Sequence, residues 1–370
     1  MRLTFLRSIG VSLAMIAACG DDTDGTGGSE TGSTSTDPST TEPSSSEPAT
    51  SNTMGSSEES STMSTTTNVD TSTTDDPTGS TEDTGTETGT ETSGFDCTMI
   101  PAAPFAAERI LMDVPFGDAE DLGFDGQGHL AARGDNDEYL LVGADGTYEE
   151  ITSDGRPTYG LRFLANGDLV AAAYTASDIL RITPAGDITE LASNLGGVNG
   201  LFPDSMGGVW YTNFGVVGYV DAGGNDIDVV APAANANGVF FDEARQAVFF
   251  TNYGTGGLSR ADIVNGVAQP SVSLGSIDGS PDGITLDACG NLYINDQGDS
   301  EMYRVFLDEA GDALGEPEEL VDGAFPTNVA NAQFGTGDGW EADSLYAIGV
   351  GGGLYRIAVG VPGASYVTVR

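Results

Sequence analysis

Asn237-Gly238-Val239-Phe240 and, 45 residues on, Asp282-Gly283-Ile284-Thr285 share one layout: a polar residue, a small one, a mostly apolar run, a turn and a second strand-like run. Related starts occur at Glu120, Tyr159, Asn199 and Thr327, so the six are spaced by 39, 40, 38, 45 and 45 residues. A period near forty built from short strands, with no helical stretch, is the signature of a β-propeller, because each four-stranded blade consumes about that much chain. The sequence therefore predicts an all-β, six-bladed β-propeller over residues 97–370. In such a ring the first position of each repeat begins the innermost strand beside the central channel.

Within the second repeat, Gly160 to Phe163 reads as the inner strand, Asn166-Gly167 as its turn and Asp168 to Tyr174 as the returning strand. The outermost strand of each blade runs directly into the next repeat start. By that rule Glu108 to Asp113, lying before Glu120, is the outer strand of the last blade, supplied by the N-terminal end of the domain. It closes the ring and leaves no open sheet edge at the seam.

Four of the six starts carry oxygen: Glu120, Asn199, Asn237 and Asp282. Two carboxylates and two amide carbonyls converging on one axis suit a hard divalent cation, most simply Ca²⁺. Without it Glu120 and Asp282 would repel across a channel of low dielectric. A cation there offers a way to hydrolyse an ester-like bond without histidine. The alternative is that Asn-Gly and Asp-Gly are only turn dipeptides ahead of each inner strand.

Composition removes other chemistries. The chain has no lysine, its twelve positive charges are arginine, and it has a single histidine, His129. Lysine Schiff bases and multi-histidine zinc sites are thereby excluded. The net charge of −45 predicts no nucleic-acid partner and no direct affinity for anionic lipid.

The N-terminus reads as a bacterial lipoprotein signal peptide over residues 1–18: Arg2 and Arg7, a short apolar run, then Ile16-Ala17-Ala18-Cys19. Cys19 is the expected lipid attachment site, followed over residues 19–96 by a tether of Ser, Thr, Gly, Asp, Glu and Pro that lacks the apolar content to fold. The expected location is the cell envelope, with membrane contact through the lipid only and the domain a monomer. With Cys19 acylated, Cys97 and Cys289 are the remaining thiols of an exported chain, which favours a disulfide. Cys289 lies in the turn after the fifth inner strand and Cys97 shortly before the strand that completes blade six, so both belong at the end of the ring away from the ligand positions.

The order Glu120, Asn199, Asn237, Asp282, together with Pro281-Asp282-Gly283-Ile284-Thr285-Leu286-Asp287, Gly290-Asn291-Leu292-Tyr293, Ala236-Asn237-Gly238-Val239-Phe240 and Pro326-Thr327-Asn328-Val329, resembles the SMP-30/gluconolactonase/luciferin-regenerating-enzyme family. More distantly it resembles the calcium-dependent phosphotriesterase and paraoxonase propellers. The resemblance implies that Glu120, Asn237 and Asp282 bind a divalent metal, that Asn199 contacts substrate or completes the shell, and that Asp282 is a general base.

Departures are visible. Glu120-Asp121-Leu122 stands where the family commonly has Glu-Gly-Pro, and Gly197-Val198-Asn199-Gly200 where it has Arg-Pro-Asn-Asp. The missing Arg argues against a sugar lactone. Tyr159, Asn213, Asn252 and Asp296, with Phe214 and Tyr253, are the candidate substrate pocket; Thr212-Asn213-Phe214-Gly215 and Thr251-Asn252-Tyr253-Gly254 read equally well as strand-end turns. Two functions remain open: a metal-dependent hydrolase of a lactone, ester or similar small molecule, or a non-catalytic ligand- or partner-binding propeller with a structural ion.

Overall fold

The computed structural model describes residues 95–321, 323 and 325–364. The expected signal peptide, Cys19 and the tether up to residue 94 lie outside them.

Six antiparallel sheets follow one another around the ring. Blade one comprises Leu122–Phe124, His129–Arg133, Glu138–Gly143 and Tyr148–Ser153 from inside outward. Blade two comprises Leu161–Phe163, Leu169–Ala173, Asp178–Ile182 and Ile188–Ala192. Blade three is Leu201–Pro203, Val209–Thr212, Val217–Val220 and Asp226–Val230. In blade four, Ala236–Asp242 and Ala247–Asn252 precede a long third strand, Gly257–Val264. That strand pairs with both Val267–Ala268 and Val272–Ser276. The additional hairpin follows from Asn265-Gly266, whose φ values of 53° and 76° make the two-residue turn that Asn-Gly favours. Blade five is Pro281–Leu286, Leu292–Asp296, Glu301–Val305 and Glu318–Glu319.

Blade six takes Asn328–Phe334, Leu345–Val350 and Leu354–Ile357 from the C-terminal end and Ala107–Ile110 from the N-terminal end. Ala107 lies opposite Ile357 and Ile110 opposite Leu354, so the seam is a strand pairing and no inner blade edge is left bare. The segment leading in is fastened to blade five. Cys97 and Cys289 form a disulfide with Cα atoms 5.6 Å apart, the Phe105 amide donates to the Leu320 carbonyl at 2.8 Å, and buried Arg304 donates to the Pro101 carbonyl at 3.0 Å.

Burial follows position in the blade. Inner strands such as Ala236–Asp242 and Pro281–Leu286 are buried along their whole length, because neighbouring blades cover both faces. Outer strands such as Tyr148–Ser153 and Asp226–Val230 are mostly exposed and rich in acids, which is where much of the negative charge resides. Aromatic rings fill the wedges between blades: Phe202 meets Phe240 at 4.3 Å and Trp210 stacks on Phe241 at 4.5 Å. At the seam Trp340 meets Phe124 at 5.1 Å and its indole N–H donates to the Gly128 carbonyl at 2.9 Å. Both tryptophans thus serve packing.

Candidate metal centre

Pairing registers place the repeat starts against one another. At the closed end of each inner hairpin, equivalent pairs are Phe124↔Leu130, Phe163↔Leu169, Pro203↔Val209, Phe241↔Val248 (one pair before the strand's end at Asp242↔Ala247), Leu286↔Leu292 and Phe334↔Leu345. Counting back four residues gives Glu120, Tyr159, Asn199, Asn237, Asp282 and Ala330. The first five are the starts read from the sequence. The sixth is a correction: Ala330, not Thr327, holds the place in blade six, because the strand begins at Asn328 and shifts register between Val329 and Asn331. Thr327 lies ahead of that strand.

Close approach between inner strands explains the residue after each start. An added Cβ on Gly160 would collide with the Asn199 carbonyl, on Gly200 with the Asn237 carbonyl, on Gly238 with the Asp282 carbonyl, and on Gly283 with Asn331. None of these glycines has a positive φ. They are therefore not turn glycines; each lets one blade's strand touch the next at the ligand position.

Two threonine hydroxyls lock this contact. Thr212 Oγ1 accepts from the Gly200 amide at 2.9 Å and donates to the Asn237 carbonyl. Thr251 Oγ1 accepts from the Gly238 amide at 2.7 Å and donates to the Asp282 carbonyl at 2.7 Å. Between blades one and two an ionic clamp replaces glycine. Asp121 accepts from the amides of Leu122 and Leu161, each at 2.8 Å, and pairs with buried Arg162.

The resulting electrostatics are unfavourable for bare carboxylates. Burial pushes Asp282 well above the ordinary aspartate value, and the charges of Glu120 and Asp121 push it further. Glu120 is raised to about 8, first by burial, against the opposing pull of Arg133, with Asp118 and Asp121 adding to the rise. No hydrogen bond is among the influences on Asp282, which distinguishes it from Asp287, held by Asn291, Tyr293 and Cys289. Beside it, Asn237 is 4% exposed and its Oδ1 has no hydrogen-bond partner among the described residues. A buried acceptor left unpaired is costly. A hard cation would satisfy that oxygen and compensate both carboxylates at once, so the donor set fits such an ion. Among the described residues no cluster of three His, Cys, Asp or Glu side chains exists to hold a metal; the candidate centre rests on Glu120 and Asp282 with the amide oxygens of Asn237 and the partly buried Asn199.

The candidate pocket residues divide. Tyr159 stands at the ring position of blade two, where burial, and then the charge of Glu120, push its phenol above the ordinary tyrosine value. Asn213, Asn252 and Asp296 instead fasten linkers. Asn213 Nδ2 donates to the Leu195 carbonyl at 2.7 Å, Asn252 Nδ2 to the Ala234 carbonyl at 2.5 Å, and Asp296 Oδ1 accepts from the Ser280 amide at 2.8 Å. Asn252 and Asp296 end their second strands and Asn213 directly follows its own, each holding the connection that enters its blade. In the repeated Thr-Asn-aromatic-Gly stretches, the threonine supports the ring position and the asparagine builds the turn.

His129 begins the second strand of blade one, at the opposite end of that inner hairpin from Glu120. Its Nδ1 lies 2.8 Å from Asp125 Oδ2, and its side chain is 46% exposed.

The chain matches no protein-family model and no curated protein. Solved structures do resemble it. Luciferin-regenerating enzyme aligns at 18% identity with a TM-score of 0.58, covering 72% of this chain and 99% of that one. Regucalcin from Agrobacterium tumefaciens, described as a calcium-binding protein, aligns at 16% and 0.58, covering 72% and 97%. A gluconolactonase of Xanthomonas campestris aligns at 17% and 0.54, covering 71% and 96%. The architecture of residues 107–357 is the six-bladed β-propeller that those proteins share.

Proposed function

We propose that the propeller is a divalent-cation-dependent hydrolase of a lactone, ester or similar small molecule, with Glu120, Asn199, Asn237 and Asp282 holding a Ca²⁺-type ion. The observation that carries this reading is the buried, unpaired Asn237 Oδ1 beside two carboxylates that burial and mutual charge disfavour. The bound ion would supply Lewis-acid polarisation of the scissile carbonyl and a lowered pKa for water. Asp282 is the proton acceptor: its backbone is held by Thr251 and its carboxylate has no competing hydrogen bond acting on it. The inner-strand contacts keep neighbouring ligand positions in register, so the donors need little reorganisation.

A second reading has its own support. Arg162, on the inner strand of blade two, is engaged with Asp121, and Arg133, which ends the second strand of blade one, with Asp137 at 2.6 Å and the Asp118 carbonyl at 3.1 Å. Neither is left to orient a polyhydroxylated substrate, which favours a binding module with a structural ion. Metal analysis of purified protein, joined to a panel of esters and lactones with and without chelator, separates the two. Hydrolysis that requires the metal and Asp282 supports the hydrolase; stoichiometric metal with no turnover supports the binding module.

The N-terminal sequence supports export and lipid anchoring at Cys19 to the bacterial cell envelope, the acidic domain acting as a monomer on small solutes.

A further inference from the structure

Asp121 and Arg162 form a buried ion pair beside the ring of candidate ligands. The ring positions, each with the three residues that follow it, run Glu120 to Gly123, Tyr159 to Arg162, Asn199 to Phe202, Asn237 to Phe240, Asp282 to Thr285 and Ala330 to Gln333. The charged side chains among them are Glu120, Asp121, Asp282 and Arg162, a formal charge of −2. Asp118, Arg133 and Asp137 lie outside these layers, exposed or half-exposed, where solvent and salt screen them.

Asp121 holds the place that Gly160, Gly200, Gly238 and Gly283 occupy in blades two to five and the neutral Asn331 in blade six. Its Oδ1 accepts the Leu122 amide and its Oδ2 the Leu161 amide, each at 2.8 Å, so backbone of both blades claims the carboxylate. Two acceptor atoms require a carboxylate, since a side-chain amide has one. A third negative charge is thereby set next to Glu120. Arg162 meets it: the guanidinium pairs with Asp121, and Nη1 donates to the Leu122 carbonyl at 2.8 Å and the Leu161 carbonyl at 2.7 Å. As a stabiliser the arginine is a poor choice. It is 5% exposed, its Nε has no hydrogen-bond partner among the described residues, and a buried ion pair gains little over apolar packing of similar volume. The equivalent places in blades three and four hold Phe202 and Phe240, packed together at 4.3 Å. What an aromatic residue cannot do at position 162 is cancel the Asp121 charge.

We infer that Arg162 sets the valence of the bound ion: by cancelling Asp121 it leaves only the two negative charges of Glu120 and Asp282, and the centre selects a divalent over a trivalent cation. This rests on the metal-centre reading and adds to it the residue that fixes the ion's charge. The interaction energy of two charges scales with their product. One uncancelled carboxylate beside the centre therefore favours a trivalent ion more than a divalent one, and an uncancelled arginine does the opposite.

The test is calorimetric titration of chelator-stripped full-length protein with calcium chloride and with lanthanum chloride, read at the site that Asp282→Asn weakens. Arg162→Gln should raise the ratio of La³⁺ to Ca²⁺ affinity by about tenfold or more, and Asp121→Asn should lower it by about as much. Arg162→Lys, which keeps the charge, and the double variant Asp121→Asn/Arg162→Gln, which removes both charges, should stay within about threefold of the wild-type ratio. A pair that only holds two blades together would weaken both ions alike and leave the ratio unmoved. Should Arg162→Gln fail to fold, as melting curves in chelator will show, Asp121→Asn decides alone: a lowered ratio supports the inference and an unchanged one rejects it. Unchanged ratios in the single variants, or Arg162→Lys behaving like Arg162→Gln, would overturn the role of Arg162 and leave the metal centre standing. Wild-type protein with no Asp282-dependent site for either ion overturns the centre, and the inference with it.

Discussion

The hydroxyl of Thr251 and the backbone carbonyl of Asp282 are joined across two blades by a hydrogen bond of 2.7 Å. The Thr251 hydroxyl oxygen also accepts from the Gly238 amide, so one side chain sets the distance between the Asn237 and Asp282 positions. Thr251→Val keeps the shape and strands both partners in a buried place. It should cost about 1–3 kcal/mol in chemical denaturation, while Thr251→Ser retains most of the stability. If Thr251→Val also weakens metal binding and Thr251→Ser does not, the hydroxyl positions the site as well as stabilising it.

Gly238→Ala should destabilise by about 1–3 kcal/mol, the usual range for overpacking, because the new methyl meets the Asp282 carbonyl. Gly315→Ala is the control: nothing lies within 4 Å of its added Cβ, and a shift within about 0.5 kcal/mol is expected. Melting curves of the two variants check the pair.

Metal-free protein should lose stability as pH rises. Glu120 is raised in the fold from 4.5 to about 8, and Asp282 is raised as well. A carboxylate with a raised folded value contributes stability that is fully present below its unfolded value and is lost as pH climbs through the folded one. The window is therefore about pH 4.5 to 8. In chelator the melting temperature should fall across it, Asp282→Asn should flatten the fall, and saturating Ca²⁺ should remove most of it.

Calcium at about a hundred times its dissociation constant should stabilise the domain by roughly 2.7 kcal/mol. Asn237→Ala and Asp282→Asn should each weaken binding at least tenfold and abolish metal-dependent ester hydrolysis, while His129→Ala leaves both nearly unchanged, its imidazole being exposed beside Asp125. Unaltered stability of metal-stripped protein on adding the ion would sink the site.

A full-length Cys19→Ser chain should show no free thiol after denaturation without reductant, given the Cys97–Cys289 bridge across 192 residues. Reduction should then cost up to about 5 kcal/mol by loop entropy, read as a lowered denaturation midpoint.

The forty-residue period, the blade count, the strand borrowed from the N-terminal end and the order of oxygen-bearing starts were all legible in the sequence. Each is a repeat of local pattern, and local pattern needs no knowledge of which strands become neighbours. The meaning of Gly200, Gly238 and Gly283 was not. A glycine after asparagine or aspartate looks like a turn, and only packing six inner strands around one axis brings the next blade's backbone carbonyl, or for Gly283 the next blade's Asn331, within reach of its absent side chain. The same holds for Ala330, whose place depends on a register shift, and for Asn213, Asn252 and Asp296, whose partners lie 16 to 18 residues away in the linkers. What an isolated asparagine oxygen at position 237 signifies is likewise a tertiary fact: it becomes an unpaired acceptor only when the ring closes over it and removes the water that would otherwise bind it.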